Sequence, residues 1–282
     1  MFGELSSGRT DAPVLTEHSY LLLDGFGVDV PVTAYTYDDH PIIEPLYRGT
    51  RHAPLIEASP WLVRPDRNGQ LLARPEVWAK HGLVMHCDSG FGTLSRHLRS
   101  LLSVTMPSGQ MAYCRFYDPN WAARLFETMS QDEFEAWSGP IACWQVQGAD
   151  GWTEYTNSSA WVAGSPQEEG WYRLRKEQLE QWQREEYDRF IAKTAQHLGY
   201  SSDRQDHAEQ YERIEVLLEQ ARRFGFESEQ VTMNYVELAW RFPLESTRPN
   251  WADRFADKNV SVEQRLYEAE KQLFKLDDGA SA

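Results

Sequence analysis

The sequence predicts an α+β protein, with an N-terminal mixed-sheet α/β lobe followed by an all-α helical lobe. Two observations predict it. Before about residue 165, short apolar runs alternate with turn residues, which is typical of strands and short helices. After that point, apolar residues recur at helical intervals between glutamates and arginines, which indicates amphipathic helices with one solvated face.

The strands of the first lobe are predicted from short apolar runs. "SYLLLDG" (19–25) is a strand closed by Asp-Gly, and "HGLVMHC" (81–87) is another. "APLIEASPWLVRP" (53–65) is predicted to be extended chain interrupted by Pro60. "IACWQVQ" and "WTEYTN" flank "GADG" (148–151), which predicts a hairpin with a four-residue loop.

Helices are predicted from apolar spacing and from capping residues. The runs 93–104 and 119–137 have helical spacing and belong to the first lobe. In the second lobe, Gly225 is expected just past the end of one helix and Ser228 at the N-cap of the next. Ser261, with a glutamine three residues later, matches a capping box for the last helix.

The change in pattern predicts the domain organisation. Residues 1–18 are expected to be a flexible N-terminus and residues 19–165 an α/β domain. Residues 166–282 then form a helical C-terminal lobe. "AGSPQEEG" (163–170) has the small, polar composition of a linker between them.

Composition narrows the classes of partner and compartment. The chain has 282 residues, 41% hydrophobic and 25% charged, so a folded, ordered protein is expected. A net charge of −15 disfavours binding to nucleic acid or anionic membranes. Three cysteines without a C-x-x-C pair predict neither a disulfide framework nor a metal site, and no cofactor is expected. The N-terminus lacks an apolar signal region, so a cytoplasmic protein is expected.

The segment "DSGFGTLS" (88–95) is the strongest enzyme-like pattern. Its two glycines follow a predicted strand and open a predicted helix, close to a dinucleotide-binding fingerprint. The third glycine position holds Ser95, and Ser89 lacks the flanking glycines of a nucleophile elbow. A nucleotide-binding enzyme that uses the strand–turn–helix–strand unit at 88–118 therefore stays an alternative.

The stretch "GQMAYCRFYDPNW" (109–121) joins a predicted strand to a predicted helix. On a strand, Tyr113, Arg115 and Tyr117 would share one face. Asp118 followed by proline is typical of an N-cap, because the side chain accepts from free N–H groups and proline fits the first helical position. Asp118 is therefore predicted to cap a helix rather than to act as a general base.

Arg115 needs a partner if it lies in the middle of a strand. A buried guanidinium requires a carboxylate or carbonyl oxygens, and Asp24 at the end of another predicted strand is the candidate. Breaking a buried pair would cost about 3–5 kcal/mol. Two roles stay open for Arg115: an internal ion pair or recognition of a partner.

Several segments together resemble the adaptor chaperones of the bacterial type VI secretion system, a family called Tap or Tec and formerly a domain of unknown function. The similarity covers about residues 19–145, and "ARRFGFESEQVTMNYVELAWRF" (221–242) resembles the C-terminal region often attached to this domain. Residues 27–43 depart from the family pattern as an insertion-like stretch. In chain order the segments are "YLLLDG", "PLYRGT", "PWLV", "LSRHLRSLLSV", "CRFYDP" and "GPIACW".

The resemblance implies a non-enzymatic adaptor. Such a protein binds a toxin effector in the cytoplasm, with the effector's N-terminal region as the expected contact, and loads it onto the spike protein VgrG. The resemblance carries over no catalytic residue. An immunity-type toxin-binding protein is a further alternative. The motif positions that carry over as framework or partner-binding residues are Asp24, Gly25, His97, Arg99, Arg115, Tyr117 and Asp118.

Overall fold

The computed structural model describes residues 7–159, 168–201, 203–242, 251–257 and 259–280. The chain divides into two compact units, Met1–Glu180 and Gln181–Ala282. The first contains a seven-stranded sheet with helices and the second contains helices, which confirms the α+β class. The predicted domain boundary near residue 165 lies outside the described residues and stays a prediction.

The large sheet is antiparallel at every described strand pair, whereas a mixed sheet was expected. The strand Ser19–Asp24 lies inside the sheet and is buried along its whole length, as its unbroken apolar run requires. From one edge to the other, the strands are β1 (Ser7–Thr10), β9 (Gly151–Thr156), β8 (Cys143–Gly148), β5 (Gly82–His86), β2 (Ser19–Asp24), β4 (Pro60–Arg64) and β3 (Ile42–Pro45).

Helices and a small second sheet complete the first unit. A 3₁₀ helix, Ala53–Ala58, precedes β4, and another, Ala79–His81, precedes β5. The small sheet pairs β6 (Ser103–Thr105) with β7 (Met111–Tyr113). The α-helices are α1 (Val30–Tyr37), α2 (Pro75–Trp78), α3 (Phe91–Ser100), α4 (Pro119–Glu127) and α5 (Gln131–Ser138).

Two layers of apolar side chains cover the large sheet. On one face, Leu21 and Val84 pack in a cluster that includes Trp78 of α2 and residues of α1. On the other face, the rings of Trp144 and Tyr155 pack around Phe126 of α4, at 5.4 and 5.2 Å between centroids. Alternate residues of each strand thus serve opposite layers.

Several predicted elements differ in detail. Residues 53–58, predicted to be extended, form a 3₁₀ helix, and the helix predicted over 93–104 ends at Ser100, before β6. The helix expected over 119–137 is two helices, α4 and α5, because Ser130 caps a new one. The hairpin loop is two residues long, since Gly148 and Gly151 still pair. Residues 7–10, expected to be flexible, form edge strand β1 on β9 through backbone pairing, so their exposed side chains gave no strand pattern.

Residues 170–174 pack against β6 within the first unit. Thr105 N donates to the Tyr172 carbonyl and Leu174 N donates to the Thr105 carbonyl, which adds a short parallel bridge beside β6. Thr105 Oγ1 donates to the Gly170 carbonyl at 2.6 Å. The described end of the predicted linker, residues 168–170, therefore belongs to the first unit. We call residues 168–178 the strap; residues 163–167 of the linker lie outside the described residues.

The second unit is a helical bundle around an aromatic core. Tyr235 and Phe255 meet at 5.4 Å between ring centroids. Gly225 has φ +78°, and Ser228 Oγ accepts from Val231 N, as predicted. Ser261 Oγ accepts from Gln264 N at 3.2 Å. The helices of this unit are α6 (Lys176–His197), of which residues 176–180 belong to the first unit, α7 (Ala208–Arg223), α8 (Glu229–Arg241), α9 (Trp251–Ala256) and α10 (Val262–Ala280).

Candidate functional site

Asp24 and Gly25 form a tight corner at the end of β2. Asp24 Oδ1 accepts from Phe26 N at 3.0 Å, which fixes the turn. A side chain on Gly25 would bring its Cβ within 2.3 Å of the Ser59 carbonyl oxygen, so only glycine fits against the start of β4. Both residues therefore shape the framework, and the turn leaves the neighbouring Phe26 side chain 86% exposed.

Arg115 pairs with Asp24, as the sequence predicted. Arg115 Nη2 lies 2.8 Å from Asp24 Oδ2 and 3.7 Å from Asp118 Oδ2. The setting differs from the prediction, because β7 ends at Tyr113 and Arg115 lies on the following turn. Its side chain is 47% exposed, whereas that of Asp24 is 10% exposed. The pair is therefore half-buried rather than internal.

Asp118 takes the predicted N-cap position of α4. Its Oδ1 accepts from Asn120 N at 3.0 Å and from Trp121 N at 3.3 Å, and Pro119 occupies the first helical position. The second carboxylate oxygen faces Arg115. Asp118 thus anchors the helix and extends the charge cluster of Asp24 and Arg115.

Tyr117 belongs to a row of three phenols that the sequence did not predict. Its hydroxyl lies 2.7 Å from that of Tyr113, which in turn contacts the Tyr47 hydroxyl. Burial raises the pKa of both Tyr113 and Tyr117 above the ordinary value. Tyr113 and Tyr117 therefore stay protonated at neutral pH, and the three hydroxyl groups exchange hydrogen bonds with one another. Arg115 lies over the Tyr117 ring at 5.8 Å, which connects this row to the charge cluster.

His97 is half-buried and packs against the C-terminal end of α5. Its Nε2 donates to the Trp137 carbonyl at 2.8 Å. Gly139 ends α5 with φ +54°, and a Cβ there would lie 2.6 Å from His97 Cε1. Burial lowers the pKa of His97 to about 4, so the ring is neutral at pH 7. His97 therefore locks α3 against the end of α5.

Arg99 ties α3 to the segment that carries Tyr47. Its Nε donates to the Leu46 carbonyl at 3.1 Å and its Nη2 to Glu44 at 2.7 Å. Ser95 donates to the other oxygen of Glu44 at 2.7 Å. Burial raises the pKa of Glu44, but the hydrogen bonds from Arg99 and Ser95 outweigh it and leave the pKa below its ordinary value. Arg99 is thus a framework residue that holds β3 in place.

A second polar cluster lies beside the phenols and was missed by sequence reasoning. Glu169 of the strap accepts from His52 Nε2 at 2.6 Å, from Arg51 and from Ser103. The His52 and Tyr113 rings lie 5.2 Å apart. Glu169 stands in a stretch with linker composition, so no local signal pointed to this contact. It anchors the strap next to the tyrosine row.

The Ser103, His52 and Glu169 side chains do not form a catalytic triad. Ser103 Oγ and Glu169 Oε1 both approach His52 Nε2, at 3.4 and 2.6 Å. A triad needs the acid on one ring nitrogen and the hydroxyl on the other. Ser103 is also fully buried. This arrangement suits a structural clasp.

The 88–118 unit does not have the topology of a dinucleotide-binding fold. Strand β5, which precedes the glycines, runs antiparallel to both of its neighbours. Strand β7, which precedes Asp118, lies in the separate small sheet. A dinucleotide-binding unit needs these two strands parallel in one sheet. Ser89, at the turn, accepts from the Tyr20 hydroxyl through its carbonyl at 3.4 Å.

The predicted residues fall into two groups. Asp24, Gly25, Arg115, Tyr117 and Asp118 come together at one corner of the unit, whereas His97 and Arg99 hold α3. Apolar and cationic side chains at this corner are exposed, and a contact of 3.5 Å between Arg51 and Met111 Sδ links two of them. We call this set the rim: Phe26, Arg51, Met111, Tyr113 and Arg115.

Comparisons with known proteins give one match. Residues 19–136 match a family model described as a domain of unknown function (DUF4123), which covers less than half of the chain. The chain matches no curated protein and no solved structure. Among the described residues, no helix combines the length and hydropathy needed to cross a membrane. No cluster of three or more histidine, cysteine or acidic side chains in that part of the chain could hold a metal ion.

Proposed function

We propose that the protein is an adaptor chaperone of a type VI secretion system. In this proposal it binds a toxin effector in the cytoplasm, through the effector's N-terminal region, and loads it onto the spike protein VgrG. The observation that carries the proposal is the match over residues 19–136, because that family is associated with effector adaptors of this system. All seven predicted site residues and the whole rim lie within the matched range.

The rim supports a protein partner. It combines three apolar or aromatic side chains with two guanidinium groups, and aromatic and arginine side chains are enriched where proteins bind one another. Two residues of the rim are fixed by their contacts: Tyr113 by the hydrogen bond to Tyr117, and Arg115 by the ion pair with Asp24. We infer that the effector contacts this corner of the first unit.

Capture experiments with candidate type VI effectors from the same organism test the proposal. The N-terminal region of the effector should co-purify with the protein and its toxic domain should not. Phe26→Glu should weaken capture about tenfold or more, because a contact anchor is replaced by a charge. Val216→Glu is the matched control, since Val216 is 56% exposed on a helix of the second unit.

Each other outcome of this experiment counts against a specific part of the proposal. Capture of the toxic domain would instead make the protein an immunity-type inhibitor. Equal loss with Phe26→Glu and Val216→Glu, or no loss with either, would remove the rim as the effector contact. Circular dichroism of each variant checks that the fold is retained.

The proposal also makes the protein non-catalytic. Purified protein should show no hydrolase activity and no nucleotide-dependent turnover above a heat-killed sample. We base this on Asp118, whose carboxylate caps α4, and on the antiparallel setting of β5. Turnover that disappears in Asp118→Asn or Ser89→Ala would contradict it.

A further inference from the structure

A groove lies between α8 and α10 in the second unit, and among the described residues no side chain fills it. Its volume is about 360 Å³, within the range of specific binding sites. Residues one and two turns apart on both helices line it, which is the spacing of a continuous helical face. They are Val231, Asn234, Glu237, Leu238, Arg241, Phe242, Glu263, Leu266, Tyr267 and Glu270.

The groove has an apolar floor and an exposed aromatic wall. Leu238 and Leu266 lie at the bottom, 7% and 8% exposed. Tyr267 is 62% exposed although its ring borders the apolar floor. A large aromatic side chain in this position is typical of an interface residue that gains burial when a partner binds.

The residues that line the groove carry more negative than positive charge, although Lys271 Nζ lies 6.0 Å from the centroid of the Tyr267 ring. On α10, Glu263 and Glu270 stand at the two ends of the stripe that contains Leu266 and Tyr267. No ion pair to either carboxylate is present within the described part of the chain. The three glutamates outnumber the single arginine of the lining, and of these glutamates Glu237 pairs with His197 at 3.1 Å. Among the described residues, Glu263 and Glu270 therefore have no cationic partner, and these two carboxylates are the ones that we assign to a basic ligand.

We propose that this groove binds a basic amphipathic helix of a partner protein. The occupant would present bulky apolar side chains at i, i+3, i+4 and i+7 to Leu238, Leu266 and Tyr267, with lysine or arginine beside both ends of that stripe. A helix fits better than an added strand, because helices wall the groove and offer no sheet edge. The inference goes beyond the proposed function, which assigns effector contact to the first unit.

Two designed peptides and the full-length chain test the inference. One peptide is a helix with a leucine stripe at those positions and flanking lysines, and the other has glutamates in place of the lysines. Fluorescence polarisation should give about tenfold tighter binding for the lysine peptide at low salt, with the difference shrinking at high salt. Glu263→Lys combined with Glu270→Lys should abolish this preference. Glu212→Lys on α7 is the matched control, because Glu212 is an exposed helical glutamate outside the groove.

The remaining outcomes overturn the inference. Binding of neither peptide, equal binding of both, or the same loss in Glu212→Lys would each reject a basic helical occupant. A concentration-dependent dimer that Tyr267→Asp dissolves, seen by analytical ultracentrifugation, would assign the groove to a second copy of the chain instead. Peptide binding is measured without effector or spike, so failure of the adaptor proposal would leave this result unaffected.

Discussion

The Asp24–Arg115 pair joins two charges in unequal surroundings. Asp24 is nearly buried and also accepts from Phe26 N, whereas Arg115 is half exposed. Solvent screens an exposed guanidinium, so the pair stabilises less than the fully buried pair that the sequence predicted. Removing Arg115 would still leave the Asp24 carboxylate buried with one donor fewer.

Arg115→Ala should lower the free energy of unfolding by about 1–3 kcal/mol, the usual cost when a buried charged group loses a hydrogen-bond partner. Urea denaturation followed by tryptophan fluorescence measures it. Arg96→Ala, at an exposed position of α3, should change stability by less than about 0.5 kcal/mol. An unchanged stability together with lost effector capture would make Arg115 a contact residue only.

His97 should make stability depend on pH. Its pKa is about 4 in the folded state because of burial, against about 6.5 when unfolded. Between these values the unfolded chain binds the extra proton, so stability falls as pH falls. From pH 7 to pH 5, the wild type should lose about 2 kcal/mol more than His97→Gln, measured by urea denaturation at both values. Equal losses in the two proteins would show that His97 titrates normally in the fold.

Apolar spacing alone did not predict the break between helices α4 and α5. Ser130 Oγ accepts from Glu133 N, and Glu133 accepts from Ser130 N at 2.8 Å, which forms a capping box. The break lets Phe126 and Phe134 meet edge to face at 5.2 Å. It also lets Arg175 of the strap reach Glu133 at 2.9 Å. Ser130 and Glu133 match the capping-box pattern in the sequence. The helical spacing of apolar residues over 119–137 nevertheless suggested one helix.

Ser130→Ala should therefore lower the free energy of unfolding by about 1 kcal/mol, the typical value of an N-cap hydroxyl. Ser108→Ala is the control, because Ser108 lies in an exposed turn and accepts a long contact of 3.4 Å from Gln110 N. Chemical denaturation of both variants compares them. If Ser130→Ala and Ser108→Ala were equally stable, the capping box would not be what separates the two helices energetically.

At the scale of the whole molecule, local signals predicted more than long-range ones. Three features were predictable because each depends on residues nearby in sequence. They are strand β2, the N-cap Asp118 of α4 and Gly225 just past the end of α7. Apart from the β8–β9 hairpin, the antiparallel pairing of the large sheet was not predictable, and neither was the Glu169 contact with His52, because neither leaves a local pattern. The Asp24–Arg115 contact was predicted because opposite charges stand near the ends of two predicted strands. The predicted partners were right, but the predicted full burial of the pair was wrong.

The contacts of the strap determine at which residue the first unit can be truncated without loss of stability. Tyr172 and Leu174 are buried, and the Tyr172 ring packs against Trp137 at 4.9 Å. A chain that ends at Gly164, inside the predicted linker, would lose these contacts. A chain that ends at Glu180, at the boundary of the compact unit, would keep them. Exposing two such side chains costs at least about 3 kcal/mol.

We therefore expect the chain ending at Glu180 to be folded by circular dichroism and more stable in urea than the chain ending at Gly164. Because the rim lies in this unit, the chain ending at Glu180 should also keep most of the effector capture. The isolated helical region from residue 181 serves as the comparison. A folded first unit that captures no effector, while the helical region captures it fully, would move the effector site to the second unit. Equal stability of the two truncated chains would instead mean that the strap contributes nothing to the fold that holds the rim.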